Sequence, residues 1–488
     1  MQRMRSLDQR VSAALVDGAR HSGAPGRILL GIFETLDRTG IPYCVLHGYE
    51  SYPRQVMSDV DCMVSANVRP DQLAALFHKI RTTRTGADLV YCRGYYFVFA
   101  GRNADRSPCF IVLDLSVDYE IGGLKFYSGR EVIESRHRHD QFWVPATDLE
   151  FCGYLIRKIG KRRLTDEQGR RLSALYAQDP AGCQQQIARV WGAGNTALIA
   201  SAASSGDWGR VRPLLPALRV GMRRRARYRH PWYAIGCWAR RVGRRVRSVC
   251  WPDGGLTVVF LGPDGAGKSS VIKVVPQALA GAFNRTTCYG FAPGILRRLR
   301  PPDGPNTQPH AAPPRAPIIS VMRALCYWFV YYLFCHRVTL RLHLAHSTLV
   351  LHDRHLVDAL VDPKRYRYSG PMWLLSLIWW FVPRPDLIIL LDAPPEVLQA
   401  RKQEVPFEES ARQREAYRSL VESMANGHVI DAARPLEQVV RDVNELILRY
   451  LTVRVARRLG LERNRSCRRT SALRRRHSSL PFFCRGVK

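Results

Sequence analysis

The sequence predicts an α/β chain of two domains, in which an α+β domain and a helical connector precede a doubly wound parallel sheet. Three observations lead to this fold class. Residues 256–275 pass from an apolar β-type run through a glycine-rich loop into a helical pattern. Four further strand candidates, separated by helical patterns, follow at 286–289, 347–352, 386–391 and 428–430. The 488 residues, 46% of them hydrophobic, exceed one ordinary core and suffice for two.

Patterning and charge divide the chain into four parts. We expect a first domain at 1–145, a helical region with an arginine-rich linker at 146–250, a second domain at 251–452, and a basic, disordered tail at 453–488. Apolar residues at three- and four-residue spacing predict helices from 146 to 207. The proline-rich stretch 301–317 predicts a surface loop.

In the first domain, a helical pattern over 25–39 precedes an apolar run at 43–46. The next extended stretch carries Asp59 and Asp61, whose alternation with apolar residues directs both carboxylates to one face of a strand. Another strand, at 109–118, carries Asp114. Three carboxylates on neighbouring strands are the oxygen ligands that a two-metal Mg²⁺ site for nucleotidyl transfer requires.

Residues 25–120 resemble the nucleotidyltransferase superfamily, in its branch with the signature hhG…sDhDhhV. The chain departs from active members by placing Tyr49 after the glycine, where they have a second glycine or a serine. The resemblance implies an α+β domain in which Asp59, Asp61 and Asp114 bind metal. The matching residues are His47-Gly48 for the glycine turn, Ser58-Asp59-Val60-Asp61 for the paired carboxylates and Asp114 for the third.

The charge of the chain is strongly positive, with 74 Lys and Arg against 41 Asp and Glu, a net charge of +33. We therefore expect anionic partners: nucleotides, nucleic acid or an acidic membrane surface. No acidic residue lies between Asp207 and Asp253, where arginines alternate with tyrosines and tryptophans. This segment reads as a linker helix with a solvated basic face, or as a surface that grips phosphates of nucleic acid or lipid headgroups. A second basic run begins at Arg454.

The expected location is the cytoplasm, with a peripheral position at the inner membrane as an alternative. The 13 cysteines have no C-x-x-C pairs or regular spacing, which argues against a disulfide framework or a zinc site. Residues 1–18 lack a long apolar core, so we expect no secretory signal. Two aromatic-rich runs, 324–335 and 372–382, are shorter than the roughly 20 residues of a helical span. We interpret them as core or partner surface, or as membrane-surface contacts.

The glycine-rich loop carries the clearest chemistry in the chain. Its sequence fits G-x-x-x-x-G-K-[ST] at each fixed position and lies between a strand and a helix. Glycines allow backbone N–H groups to approach phosphate oxygens, Lys268 supplies a charge near the β and γ phosphates, and Ser269 ligates Mg²⁺. The predicted ATP-binding residues are Gly262, Pro263, Asp264, Gly265, Ala266, Gly267, Lys268, Ser269 and Ser270.

Two later segments add charged residues to this predicted site. Asp353 and Arg354 follow the strand at 347–352, at the edge of the sheet where ligands of open α/β folds collect. The aspartate is suited to Mg²⁺ and the arginine to a phosphate. Near the end of a helix that begins at Pro394-Pro395, Arg401 and Lys402 could close over the donor phosphates.

Residues 254–452 resemble the thymidylate kinase family of P-loop kinases, through GPDGAGKSS, the Asp353-Arg354 pair, PDLIILLDAPPEVLQARKQE and HVIDAARPLEQVVRDVNELI. The resemblance implies that Asp264 contacts the acceptor's sugar hydroxyl, that Asp353 and Arg354 serve metal and phosphate, and that Arg401 covers the transferred group. It adds Lys364, Arg365 and Arg367 as acceptor-binding candidates. The chain departs from compact family members by its proline-rich insertion, tryptophan-rich helices and fused first domain. In this it is similar to divergent members associated with bacterial surface polysaccharide synthesis.

These patterns predict an ATP- and Mg²⁺-dependent kinase, with Lys268, Asp353, Arg354 and Arg401 in the catalytic roles and Ser269 and Asp353 holding the metal. A nucleoside monophosphate is the first choice of acceptor, and a sugar or sugar phosphate is the next. Two other hypotheses remain: a nucleotide-dependent ATPase switch that docks on nucleic acid or membrane, and a first domain that transfers nucleotidyl groups itself.

Overall fold

The computed structural model describes residues 23–56, 59–79, 86–250, 252, 254–290, 313–329, 339–403 and 405–461. Within these ranges the chain is mixed α/β, with one mixed and one parallel five-stranded sheet. Several predictions lie outside the described residues: Ser58, most of the proline-rich loop, part of the aromatic run 324–335, and the tail from 462.

The first domain is built on the mixed sheet. Its strands are β1 (Tyr43–Val45), β2 (Val60–Val64), β3 (Asp88–Arg93), β4 (Tyr96–Arg102) and β5 (Pro108–Ser116). They are ordered β1-β2-β5-β4-β3, and β2 and β5 are parallel while the other pairs are antiparallel. Helices α1 (Ala24–Arg38) and α2 (Pro70–Lys79) complete this part. The apolar face of α1 is buried, and its Phe33 ring stacks on Tyr43 of β1 with centroids 5.0 Å apart.

Small elements and a group of helices follow the sheet. The small elements are β6 (Tyr119–Ile121), β7 (Leu124–Tyr127), α3 (Gly129–Glu134), β8 (His137–His139) and β9 (Phe142–Val144). The helices are α4 (Thr147–Lys161), α5 (Asp166–Gln178), α6 (Pro180–Trp191) and α7 (Ala193–Ser205). The predicted helical region from 146 is thus confirmed. Its buried apolar residues form a second core with the β6–β7 hairpin.

The arginine-rich segment forms two helices rather than one linker helix. A short 3₁₀ turn (Arg212–Leu214) leads into α8 (Leu215–Arg229), and α9 (Pro231–Cys250) follows after His230. Helix α8 buries Leu215, Leu218, Met222 and Ala226 in the helical core, so it belongs to the folded body. In α9 only Cys237 and Ser248 are buried.

The second domain is built on the parallel sheet. Its strands are β10 (Leu256–Leu261), β11 (Arg285–Tyr289), β12 (Thr348–His352), β13 (Leu387–Asp392) and β14 (Gly427–Asp431). The order is β11-β12-β10-β13-β14, and each neighbouring pair is parallel. Every residue of β10 and β13 is buried, as expected for strands covered on both faces. The four strands predicted after the glycine-rich loop are confirmed to within one residue at each end.

Helices cover both faces of this sheet. They are α10 (Lys268–Ala278), α11 (Pro317–Tyr327), α12 (Arg341–Ala345), α13 (Leu356–Val361), α14 (Met372–Phe381), α15 (Pro395–Arg401), α16 (Phe407–Glu422) and α17 (Leu436–Arg458). Apolar residues of α10 and α17 pack on one face, and those of α13 and α16 on the other. Across the described ranges, no helix combines the length and the apolar character that crossing a bilayer requires.

Helix α17 joins the two domains. Its Leu448 and Leu451 share a core with strand β10 and with Val90 of β3, while Val455 reaches the core of the mixed sheet. At the same contact, Arg102 of β4 makes a bidentate ion pair with Glu445, with Nη2 2.6 Å from Oε2. The first sheet therefore packs directly on the second domain.

Candidate functional site

The glycine-rich motif lies where the sequence predicts, between β10 and α10. Three of its glycines have positive φ angles: Gly262 at 146°, Gly265 at 86° and Gly267 at 86°. L-residues rarely adopt these conformations, so the loop depends on glycine. Gly265 is also confined sterically, since a Cβ there would lie 2.8 Å from the backbone oxygen of Leu398. The loop thus places the N-terminus of α10 directly after the carboxyl end of β10, and the free N–H groups of a helix N-terminus are suited to bind an anion.

Lys268, the first residue of α10, is folded back into the loop. Its Nζ donates to the backbone oxygens of Gly262 at 2.6 Å and Pro263 at 2.9 Å. The side chain is buried, and this burial lowers the pKa of the ammonium, while the nearby carboxylates of Asp264 and Asp353 oppose the shift. The charge is therefore held inside the loop by carbonyl groups.

The residues predicted to ligate Mg²⁺ differ in exposure. Ser269 and Ser270 are exposed at the start of α10, and Asp353 is half-buried after β12. The backbone N–H of Asp353 donates to Tyr289 at 2.9 Å, which fixes it at the carboxyl end of the parallel sheet. A hydroxyl and a carboxylate are the oxygen donors that Mg²⁺ accepts together with water.

A polar cleft lies beside the loop, with Asp264 at its centre. One carboxylate oxygen of Asp264 accepts from Arg354 Nη2 at 3.2 Å, and the other accepts from Arg365 Nη1. The residues that line the cleft are Gly262, Pro263, Asp264, Arg354, Asp358, Asp362, Arg365, Tyr366, Gln413 and Tyr417. The structure thus brings Asp264, Arg354 and Arg365 together in one cleft.

Sequence reasoning missed the inner wall of this cleft. The buried carboxylate of Asp358 accepts from Tyr417 Oη at 2.8 Å and from the backbone N–H of His355 at 2.7 Å. Burial raises the pKa of Asp358 and that of Tyr417. Gln413, one turn before Tyr417 on α16, donates to Asp362 at 3.1 Å. The four-residue spacing of Gln413 and Tyr417 was a signal in the sequence, but nothing nearby pointed to their partners, Asp358 on α13 and Asp362 just after it.

Arg401, the predicted lid residue, and Arg414, a second cation farther along the chain, occupy different places. Arg401 ends α15, and its Nη1 donates to the backbone oxygen of Ala432 at 2.9 Å. Arg414 on α16 makes two bonds, of 2.7 and 2.9 Å, to Asp392 at the end of β13. Of the three basic residues after the Asp353-Arg354 pair, only Arg365 lines the cleft. Arg367 instead donates to Pro313 at 2.8 Å, and Lys364 is not among the lining residues.

The carboxylates of the first domain lie close together. Asp61 of β2 and Asp114 of β5 are directly paired in register, and Asp59 precedes β2. Burial, followed by the charges of Asp61 and Asp59, raises the pKa of Asp114 to about 6. Burial and Asp61 raise the pKa of Asp59 as well. The predicted juxtaposition of these three residues is therefore present.

Two basic side chains already contact the carboxylate of Asp61. Its Oδ2 lies 2.9 Å from His47 Nε2 and 3.0 Å from Arg157 Nη1. Burial acts to raise the pKa of Asp61, but these partners outweigh it and lower the pKa. Over the part of the chain described, no group of three or more His, Cys, Asp or Glu side chains is arranged to hold a metal ion. The ten cysteines described there are free thiols.

The departure at Tyr49 has a structural explanation. The ring is buried and its Oη donates to the buried carboxylate of Glu150 at 2.6 Å. Arg171 neutralises the same carboxylate at 2.9 Å. Tyr49 thus ties the glycine turn to α4.

Comparison with models of known protein families gives no match, and a search of curated proteins gives none either.

Proposed function

We propose that the protein is an ATP- and Mg²⁺-dependent kinase that phosphorylates a small molecule. The observation that carries the proposal is the position of buried Lys268 in a glycine loop at the carboxyl end of β10, beside the polar cleft around Asp264. In a parallel sheet ordered β11-β12-β10-β13-β14, the crevice above β10 lies where the strand order reverses. The motif and the cleft supply a donor side and an acceptor side at that crevice.

The residues on the donor side fit ATP·Mg²⁺. Gly265 and Gly267 have positive φ angles that ordinary L-residues rarely adopt, as expected of a loop whose backbone approaches phosphate. Exposed Ser269 and half-buried Asp353 would hold the metal. When bound, ATP·Mg²⁺ supplies the γ-phosphoryl group and neutralises part of its charge.

The chain's own residues would then position the two substrates and stabilise the charge of the transferred group. Lys268 would exchange its two carbonyl partners for phosphate oxygens, since the same short reach serves both. Arg354 and Arg365 would orient an anionic acceptor through their planar guanidinium groups, and Asp264 would accept from an acceptor hydroxyl. Arg401, released from Ala432, could cover the transferred group.

The cleft favours a kinase over an ATPase switch. Two arginines, three carboxylates, two tyrosines and an amide line the cleft beside the loop, and hydrogen bonds join the arginines, one tyrosine and the amide to the carboxylates. A nucleotide switch requires no such second site, whereas a kinase needs one for its acceptor. A nucleoside monophosphate remains the first choice on the thymidylate kinase resemblance, and a sugar phosphate would use the same arginines.

The decisive experiment measures ATP consumption by the full-length protein with Mg²⁺ and a panel of dTMP, dUMP, sugars and sugar phosphates. We expect one class of acceptor to stimulate turnover. Lys268→Ala should lower that turnover by at least about 100-fold, the scale of one lost transition-state contact. Lys273→Ala, which removes an exposed lysine on the same helix, should change little. Unchanged turnover in Lys268→Ala would overturn the proposal. So would ATP hydrolysis that DNA or anionic vesicles stimulate and no acceptor does.

The acceptor side has its own test. Arg365→Ala should raise the KM for the acceptor and leave ATP affinity unchanged, whereas Arg367→Ala, whose side chain faces Pro313, should alter neither. Equal effects of the two variants would remove Arg365 from the acceptor site.

Nucleotidyl transfer by the first domain is the second candidate function, favoured by the register of Asp61 beside Asp114. Arg157 and His47 would first have to leave Asp61 for a metal to bind there. Release of pyrophosphate that is lost in the Asp59→Ala, Asp61→Ala double variant would support it. No change would assign that cluster a structural role.

A further inference from the structure

Helix α9 presents an apolar stripe to the solvent. Six of its apolar side chains are between 37% and 81% exposed: Trp232, Ile235, Trp238, Val242, Val246 and Val249. At 3.6 residues per turn these six positions fall within an arc of about 120°. The buried residues of the helix, Cys237 and Ser248, lie on the opposite side. The stripe is therefore not the face by which α9 packs on the protein.

The opposite face of α9 is anchored to the folded body. Tyr233 Oη donates to Glu120 of β6 at 2.8 Å, and the Lys125 ammonium lies 5.5 Å from the centre of the same ring. Arg93 of β3 donates to the backbone oxygen of Arg244 at 3.3 Å. These contacts hold the helix in one orientation, with its apolar stripe outward.

Arginines border the stripe on both edges. On a helical wheel Arg245 and Arg241 lie about 20° and 60° beyond one edge of the stripe, and Arg247 lies about 60° beyond the other. All three are exposed. Such side chains can extend their guanidinium groups sideways while their methylene stems cover apolar surface.

We propose that α9 is a docking surface for an anionic lipid bilayer, on which the helix lies parallel to the membrane plane. The tryptophans and valines would enter the boundary between headgroups and acyl chains, and the flanking arginines would contact lipid phosphates. The helix is about 30 Å long, which suits surface contact over its whole length.

The distribution of charge favours an anionic bilayer over a second copy of the chain or a nucleic acid. A second copy of the chain would bring five arginines of one α9 against five of another, and no acidic residue between 207 and 253 could pair with them. A nucleic acid would be met by arginines at the centre of the binding face, whereas here the centre is apolar. An exposed apolar stripe with cations along both edges matches the layered polarity of an anionic bilayer.

The test is co-sedimentation of the full-length protein with vesicles of phosphatidylcholine alone, or of equal parts phosphatidylcholine and phosphatidylglycerol. We expect binding to the anionic vesicles that weakens at high salt, and little binding to the neutral ones. The Trp232→Ser, Trp238→Ser variant should bind at least about tenfold more weakly. Arg245→Gln with Arg247→Gln should lose more than tenfold, at about fivefold for each arginine.

The matched control is Trp373→Ser with Trp380→Ser on α14. These two tryptophans are 65% and 74% exposed, comparable to the 81% and 66% of the α9 pair, but their helix contains no charged residue. The control should bind vesicles as the unaltered protein does. Each substituted side chain is exposed, and thermal unfolding verifies that each variant folds.

Three results would overturn the proposal. One is equal binding to neutral and anionic vesicles, or no binding to either. Another is a loss in the α14 control as large as that in the α9 variant. The third is a DNA duplex whose affinity falls in the α9 variant while vesicle binding does not.

Discussion

Two glycines at the turn of the glycine-rich loop allow a matched pair of substitutions. Gly265 and Gly267 both have φ of 86°, so an alanine at either position is forced into a left-handed conformation that costs about 1–2 kcal/mol. They differ in surroundings. A Cβ on Gly267 meets nothing within 4 Å, whereas one on Gly265 would lie 2.8 Å from Leu398 O on α15. Gly265→Ala must therefore displace backbone as well.

We expect Gly267→Ala to lower the free energy of unfolding by about 1–2 kcal/mol. Gly265→Ala should lower it by about 2–5 kcal/mol, since overpacking against a fixed backbone adds about 1–3 kcal/mol. Equilibrium urea unfolding followed by circular dichroism measures both. Calorimetric titration with ATP·Mg²⁺ should show weaker binding in each variant, because each reorients amides of the loop.

Gly206→Ala is a control that introduces similar backbone strain away from the loop proposed to bind nucleotide. Gly206 caps α7 with φ of 79° and has nothing within 4 Å of a built Cβ, so its alanine variant should lose about as much stability as Gly267→Ala. Its nucleotide affinity should be unchanged. If Gly265→Ala were no less stable than Gly267→Ala, the contact between the loop and α15 would be refuted. If Gly206→Ala weakened nucleotide binding equally, global destabilisation would explain the loss.

Three further predictions concern buried and clustered charges. Tyr417→Phe removes a donor to buried Asp358 and should cost about 1.5–3 kcal/mol in urea unfolding. Arg414→Ala leaves the nearly buried carboxylate of Asp392 without its bidentate partner and should cost about 1–3 kcal/mol by the same measurement. Asp114→Asn should raise the melting temperature at pH 7.5 but not at pH 4. The folded-state pKa of Asp114, about 6, exceeds the ordinary 3.8, so its stabilising contribution is present below pH 3.8 and is lost as pH rises through 6.

Each of these has a control. Exposed Tyr228→Phe should change stability little, as should Arg418→Ala, which breaks only an exposed i,i+4 pair with Glu422. Asp105→Asn should show the opposite pH dependence, because Ser107 lowers the pKa of Asp105. A tyrosine or arginine variant no less stable than its control would contradict the packing described. An Asp114→Asn gain of equal size at both pH values would contradict the coupling of the three carboxylates.

The sequence predicted the parts of the site whose geometry is encoded by consecutive residues. The loop from Gly262 to Ser269 needs glycines at fixed positions between a strand and a helix, and that pattern is local. Asp353 and Arg354 follow a strand whose apolar run is equally local. Asp61 and Asp114 were placed together because their runs alternate and strands pair side by side.

The rest depends on contacts between distant segments. Tyr417 reaches Asp358 across 59 residues, and Arg365 reaches Asp264 across 101. Arg157 reaches Asp61 across 96 residues and so changes the charge of a cluster that looked purely acidic. These partners are selected by how helices pack on a sheet, which no local pattern records. The two-helix form of the arginine-rich segment arises similarly, because apolar residues of α8 find a core that a solvated linker would lack.

The position of helix α17 has a consequence for how the molecule unfolds. Because its side chains complete hydrophobic cores on both sides, neither half of the protein has a finished interior without it. A fragment ending at residue 452 would lose Val455 and the last turns that reach the mixed sheet. We expect the two halves to unfold on heating in a single calorimetric transition. We also expect either half, expressed alone, to aggregate and to be prone to proteolysis.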